Sequence, residues 1–233
     1  MYKGLQIKPP FFEIGPKAYL YGEEMLALAK VIDKTAQKYD VDIIVTPQYT
    51  DIKLLADNTE RILVFAQHMD SLPVGRGLGS VLPEAVKAAG AVGVMLNHAE
   101  KPISFEEIEK TIKRADEVGL GTIVCADTVE DVKAIAKMGP NLIVAEPTEL
   151  IGTGQTSDSN YVLDTIKTVN EINPDIMVLQ GAGISNGQDV YNTIKLGAQA
   201  TGSTSGIIKA ADPYAMVEEM IYNLRKAWDE LHK

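Results

Sequence analysis

The residues best placed to do chemistry cluster in a few short stretches. Glu146 follows the apolar run NLIV (141–144), and after it come Pro147 and a small-residue segment, TELIGTG, that suits neither helix nor strand. A carboxylate and an imidazole sit two residues apart in NHAE, as His98 and Glu100. Lys17 closes a Gly15-Pro16-Lys17 turn, and His68 follows another apolar run. Two glycine-rich turns stand near the C-terminus, 181-GAGIS-185 and 203-STSG-206. Taken singly these signals are weak: a loop lysine is ordinarily solvated, and a lone histidine at a strand end is more often structural. Together they supply a base, a proton-bearing imidazole, a cation and glycine turns whose amides can approach a ligand closely. That set suits proton transfer next to a carbonyl. Glu146 would take a proton from carbon, an imidazole would stabilise the enediolate oxygen, and Lys17 would offset negative charge. An enediolate phosphate needs shelter from water, so Pro147 to Gly154 reads as a lid beside the base.

These residues must be positioned by a regular frame, and the sequence spells one. Short apolar runs recur at FFEIG (11–15), DIIVT (42–46), ILVFA (62–66), VGVML (92–96), TIVCA (122–126), LIVAE (142–146), IMVLQ (176–180) and AQATG (198–202). Most are continuous rather than alternating, the pattern of strands covered on both faces. Helical patterns fall between them at 22–39, 82–90, 104–118, 128–138, 159–172, 186–196 and 212–231, with a short candidate around 51–57. Ser104 with Glu107 predicts a capping box, Thr128 precedes an acidic first turn, and Asp212-Pro213 places proline at a first helical position. Eight strands alternating with helices fit a closed (β/α)8 barrel or an open doubly wound sheet. Strand count, length and unbroken rhythm favour a single-domain α/β barrel of parallel strands over residues 1–233. In either fold the functional residues belong just past the C-terminal ends of the strands, where the set above falls. Glycine turns after strands seven and eight are the usual phosphate grip of such a barrel.

Composition narrows the partners. The formal net charge of −10 over 233 residues argues against nucleic acid or an anionic membrane surface. No run approaches a membrane span and the N-terminus lacks a signal-peptide core, so a soluble cytoplasmic protein is expected. The lone cysteine, Cys125, suits a reducing compartment and reads as a buried strand residue. His68, His98 and His232 form no metal-ligand spacing, and no G-x-G-x-x-G follows the first strand. Neither a metal nor an organic cofactor is expected.

At this point the motifs resemble a known family. The stretches 66-AQHMD-70, 82-LPEAVKAAGAVGVMLNHAE-100, 145-AEPTELIGTG-154 and 181-GAGISNGQDV-190 are similar to triosephosphate isomerases, nearest their short archaeal-type branch. That family is a standard case of a glutamate base working with a neutral histidine and a closing loop, and those roles come with the resemblance. It implies a TIM barrel in which Glu146 is the base, His98 the electrophile, Lys17 the active-site lysine and Glu100 its acidic partner. It also implies that Gly152 lies in the closing loop, that Gly181, Gly183, Ser205 and Gly206 belong to the phosphate-binding turns, and that His68 is structural. The substrate would be a small phosphorylated sugar, and the enzyme a homo-oligomer, dimer or tetramer. Three positions depart from the family pattern. Gly15 stands where the family has asparagine, Ala99 where it has serine, and Leu78 in place of a threonine that meets that asparagine across a subunit boundary. The first and third losses remove both partners of one contact and orphan neither. Arg76 and Leu78 become candidate subunit contacts. Three readings stay open: an isomerase of triose phosphates, an isomerase of a longer sugar phosphate such as a tetrulose phosphate admitted by the missing asparagine, and a catalytically poor barrel that binds phosphorylated metabolites.

Overall fold

A computed structural model describes residues 1–233. Eight parallel strands close into a barrel in chain order, with β1 (Phe11–Ile14) pairing both β2 (Asp42–Val45) and β8 (Ala200–Gly202). The others are β3 (Leu63–Ala66), β4 (Gly93–Leu96), β5 (Gly121–Ala126), β6 (Leu142–Ala145) and β7 (Met177–Gln180). The doubly wound alternative is thereby excluded. Parallel neighbours need long crossovers, and helices supply them: α1 (Gly22–Tyr39), α2 (Ile52–Asn58), α3 (Pro83–Ala88), α4 (Phe105–Val118), α5 (Val129–Ala136), α6 (Ser159–Ile172) and α7 (Gly187–Lys195). After β8 come a single turn, α8 (Ser205–Ile208), and the long α9 (Pro213–Leu231), which packs against α1 and α7.

The continuous apolar runs have two jobs because each strand is covered on both faces. One set of side chains meets the helices in a shell of 44 buried residues. The other, from Phe11 on β1 through to Ala200 on β8, forms a separate plug of ten inside the barrel, with every strand contributing. Size alternation lets the plug close: Gly93 lies opposite Phe65 in the register, and any side chain there would overlap the Phe65 ring. The N-terminal segment seals the bottom, where Leu5 and Ile7 pack against the plug and Asn141 Nδ2 donates to the Tyr2 carbonyl at 2.8 Å. The filled interior leaves only the C-terminal end of the barrel open to a ligand.

Helix starts follow the capping signals, with one correction. Thr128 forms a full reciprocal capping box with Asp131, and Asp212 caps α9 ahead of Pro213. At α4 only half of the expected box forms. Ser104 accepts from the Glu107 amide at 3.2 Å, but the Glu107 carboxylate instead accepts from the Ser71 hydroxyl at 2.6 Å. A second correction concerns 203–206, read from sequence as a turn: Ser205 and Gly206 begin α8. No helix is long and apolar enough to cross a membrane.

Candidate active site

A cavity of about 490 Å³ opens at the C-terminal ends of the strands. Lys17, His98, Glu100, Glu146, Gly152, Gly181, Gly183 and Ser205 all line it, so eight of the nine residues singled out from sequence share one wall. Gly206 lies behind it, where the missing side chain lets α8 pack against the Ile184 carbonyl, which would sit 2.6 Å from a Cβ. His68 is buried outside the cavity, with Nε2 3.3 Å from Asp70.

Lys17 is held by its backbone as much as by its side chain. Its φ of 48° is left-handed, a conformation that costs an ordinary residue of order 1–2 kcal/mol. Two glutamines clamp the strained peptide: Gln48 and Gln67 both donate through Nε2 to the Lys17 carbonyl, at 2.6 and 2.9 Å. Lys17 Nζ then reaches Glu100 Oε1 at 2.6 Å. That hydrogen bond holds the Glu100 carboxyl below its ordinary range, and Glu100 remains mostly exposed at the rim.

His98 presents a defined tautomer. The Glu100 amide donates to His98 Nδ1 at 3.0 Å, which makes Nδ1 an acceptor and leaves the proton of a neutral ring on Nε2. Burial, then the nearby Lys17 charge, lowers the imidazole from its ordinary 6.5, so the ring is neutral at pH 7. The preceding Asn97 is braced on both sides, donating to the Cys125 carbonyl at 3.0 Å and accepting from the Ile103 amide at 3.1 Å. This fixes the loop from which the imidazole projects.

Glu146 leaves the end of β6, its amide bonded to the Ala126 carbonyl at 2.9 Å. Gly181 makes room for it, since a Cβ there would lie 2.8 Å from the Glu146 Cβ. Burial raises the carboxyl above its ordinary value, while Lys17 and the Ala182 amide, which donates to Oε1 at 3.1 Å, draw it back. A poorly solvated carboxylate of raised basicity is suited to taking a proton from carbon.

The remaining turns pack closely on one another and carry backbone amides with no protein acceptor. Gly183 has a φ of 72°, and its bare Cα lies where any side chain would overlap the Gln155 carbonyl, so the loop after β6 lies directly on the turn after β7. That loop begins with a short 3₁₀ turn at Thr148–Leu150, anchored where Asp127 accepts from the Thr148 amide at 2.8 Å. It then bends at Gly152 and Gly154, with φ of 75° and 74°. The Gly183 amide has no protein acceptor. Beside it, the start of α8 points amides that have no intrahelical partner.

Sequence reasoning missed one prominent member of the cavity wall. Glu13 on β1 points into the barrel between Phe11 and Gly15, enclosed by protein except towards the cavity. Burial is the main cause that pushes its carboxyl up to about 7. Gly15, which the longer-substrate reading takes as added room, is bordered by other side chains: a Cβ there would lie 2.9 Å from Glu13 Oε1 and 3.2 Å from Thr46 Oγ1. The glutamate side chain occupies that room. The signal was present in the strand period, because residues 11, 13 and 15 share a face, and an acid inside an otherwise apolar strand calls for an explanation. Gln48 and Gln67 carried no such signal, since their work is to bond another residue's backbone.

A family model described as Triosephosphate isomerase matches residues 14–220. The chain belongs to the triosephosphate isomerase family. Among its curated relatives, a triosephosphate isomerase of Sulfurisphaera tokodaii is 40% identical over 227 residues, covering 96% of this chain and 99% of the relative. One of Methanobacterium bryantii is 41% identical over 217 residues, covering 91% and 96%. Both fit the archaeal-type branch. The crystal structure of triosephosphate isomerase from Bartonella henselae shares the fold, with a TM-score of 0.75 at 17% identity over 94% of this chain and all of that one. Membership makes the chain an isomerase of the intramolecular oxidoreductase class.

Proposed function

We propose that this cavity interconverts glyceraldehyde 3-phosphate and dihydroxyacetone phosphate through an enediolate. The observation that carries the reading is the pairing, in one enclosed cavity, of the buried Glu146 carboxylate with a neutral His98 that offers Nε2–H. Glu146 removes the proton from the carbon next to the carbonyl. His98 gives its Nε2 proton to the carbonyl oxygen as negative charge develops there and takes back the proton of the adjacent hydroxyl, and Glu146 returns its proton to the neighbouring carbon. A neutral imidazole suits this better than a charged one, because its acidity lies closer to that of the enediol and the proton can pass in both directions. Lys17, held by Glu100, offsets the charge of substrate and intermediate. The phosphate is gripped by the amides of Gly183 and of the start of α8 at Ser205 and Gly206, with Gly152 closing over it; Gly181 keeps space for the base.

In the same reading the protein works in the cytoplasm as a homo-oligomer, dimer or tetramer. In support, Cys125 is a free buried thiol, and Leu78 stands fully exposed on the loop after β3 with Val74 nearby, an apolar surface suited to a second subunit. Steady-state turnover tests the catalytic proposal. Wild type should exceed a kcat/KM of about 10⁴ M⁻¹s⁻¹ on glyceraldehyde 3-phosphate, and Glu146→Gln should abolish it. A preference for erythrulose phosphate would overturn the choice of triose while keeping the reaction class.

A further inference from the structure

Glu13 is a built feature of the cavity. On one side Gly15 leaves space for it, and on the other so does Gly202, its register partner on β8, whose Cβ would lie 3.1 Å from both Glu13 Cβ and Oε2. Oε1 accepts a hydrogen bond from Thr46 Oγ1 at 2.9 Å. Oε2 has no protein partner and belongs to the cavity wall. The charged and titratable groups that act on the carboxyl are Glu146 and Lys17; the Cys125 thiol, raised by burial, shares the enclosure.

Two carboxyls so placed do not ionise equally. Glu146 has a backbone amide on Oε1, and Lys17 is the main influence drawing its carboxyl down. Glu13 has one hydroxyl, and Lys17 is the least of the influences on it. The environments push the pair apart, so the negative charge resides on Glu146 and the proton on Glu13. With Oε1 occupied by Thr46, that proton lies on Oε2, facing the cavity.

We propose that Glu13 is a substrate-contacting residue, a carboxylic acid that donates a hydrogen bond from Oε2 to an uncharged oxygen, hydroxyl or carbonyl, of the phosphosugar. The proposal rests on the sugar-phosphate reading of this cavity. It makes Glu13 a specificity determinant: a substrate with a neutral oxygen at this depth is held, and one with a second anionic group there is repelled once Glu13 ionises. In this role Glu13 donates a hydrogen bond and transfers no proton to the substrate.

Two non-reacting probes test it by calorimetry near pH 6: glycerol phosphate, which carries hydroxyls and no carbonyl, and inorganic phosphate, which carries neither. Glu13→Ala should weaken glycerol phosphate by a few-fold to about tenfold, the worth of one hydrogen bond, and leave inorganic phosphate affinity as in wild type. Glu13→Gln, which keeps a donor but cannot ionise, should recover part of the loss. Relative to Glu13→Gln, wild type should lose glycerol phosphate affinity as pH rises through about 7, the titration of the probe's own phosphate being common to both proteins. Equal weakening of both probes, no weakening of either, or an unchanged pH dependence in Glu13→Gln would overturn the proposal. Failure of wild type to turn over triose phosphate would instead sink the isomerase reading and leave these binding results standing or falling separately.

Discussion

Replacing Glu13 by glutamine should change how the stability of the fold depends on pH. The carboxyl moves from an ordinary 4.5 to about 7 because the barrel encloses it and Glu146 adds repulsion, against which Thr46 and Lys17 recover only part. A group that binds its proton more tightly when folded contributes stability that is fully present below 4.5 and lost as pH rises through about 7. The gap between those two values corresponds to roughly 3 kcal/mol at about 1.36 kcal/mol per pH unit. Glutamine has the same shape and no charge to desolvate. Relative to wild type, Glu13→Gln should therefore gain up to roughly 3 kcal/mol between about pH 4.5 and about pH 8. For a chain of this length that corresponds to a relative rise in Tm of about 6–12 °C. Urea denaturation of both proteins near pH 5 and near pH 8, at one protein concentration to hold any assembly constant, measures the difference directly. A stability gap between the two proteins that is equal at both pH values would mean instead that Glu13 titrates as an ordinary carboxyl.

Other changes probe separate parts of the account. Lys17→Ala removes the cation beside the cavity and the partner of Glu100; kcat/KM should fall by about ten- to a hundredfold or more, as expected for a lost charged hydrogen bond, and an unchanged value would show that Lys17 does not meet the substrate. Gly183→Ala puts a side chain at a φ of 72° and against the Gln155 carbonyl. It should cost of order 1–3 kcal/mol in stability and raise KM, and wild-type values for both would show that loop and turn do not depend on this approach. Thr128→Ala breaks the one complete capping box and should lower stability by about 1 kcal/mol without touching kcat/KM, so a loss of turnover in a folded variant would contradict its purely structural placement.

Much of the fold was legible because strands buried on both faces read as continuous apolar runs. α1 and α6 begin and end where their apolar periodicity does, at Gly22–Tyr39 and Ser159–Ile172. The four-residue α8 escaped notice because a single turn starting Ser-Gly has no periodicity to read. The missing half of the α4 box depends on Ser71, more than thirty residues away, and no local pattern predicts that capture. At the site, Glu146, His98, Lys17 and Glu100 stood out because each lies a few residues at most past the C-terminal end of a strand. That Glu13, two residues earlier, fills the space beside Gly15 emerges only when neighbouring residues of β1, β2 and β8 are brought together. Gln48 and Gln67 act on a backbone carbonyl whose strain is itself a tertiary feature.

The role of Glu146 in moving a proton between adjacent carbons is tested most directly by running the reaction in D₂O and following it by NMR. Wild type should place solvent deuterium on the carbon next to the carbonyl of product and returned substrate, and Glu146→Gln should abolish both isomerisation and labelling. Isomerisation or labelling that persists in Glu146→Gln at the wild-type rate would contradict the assignment of Glu146 as the base.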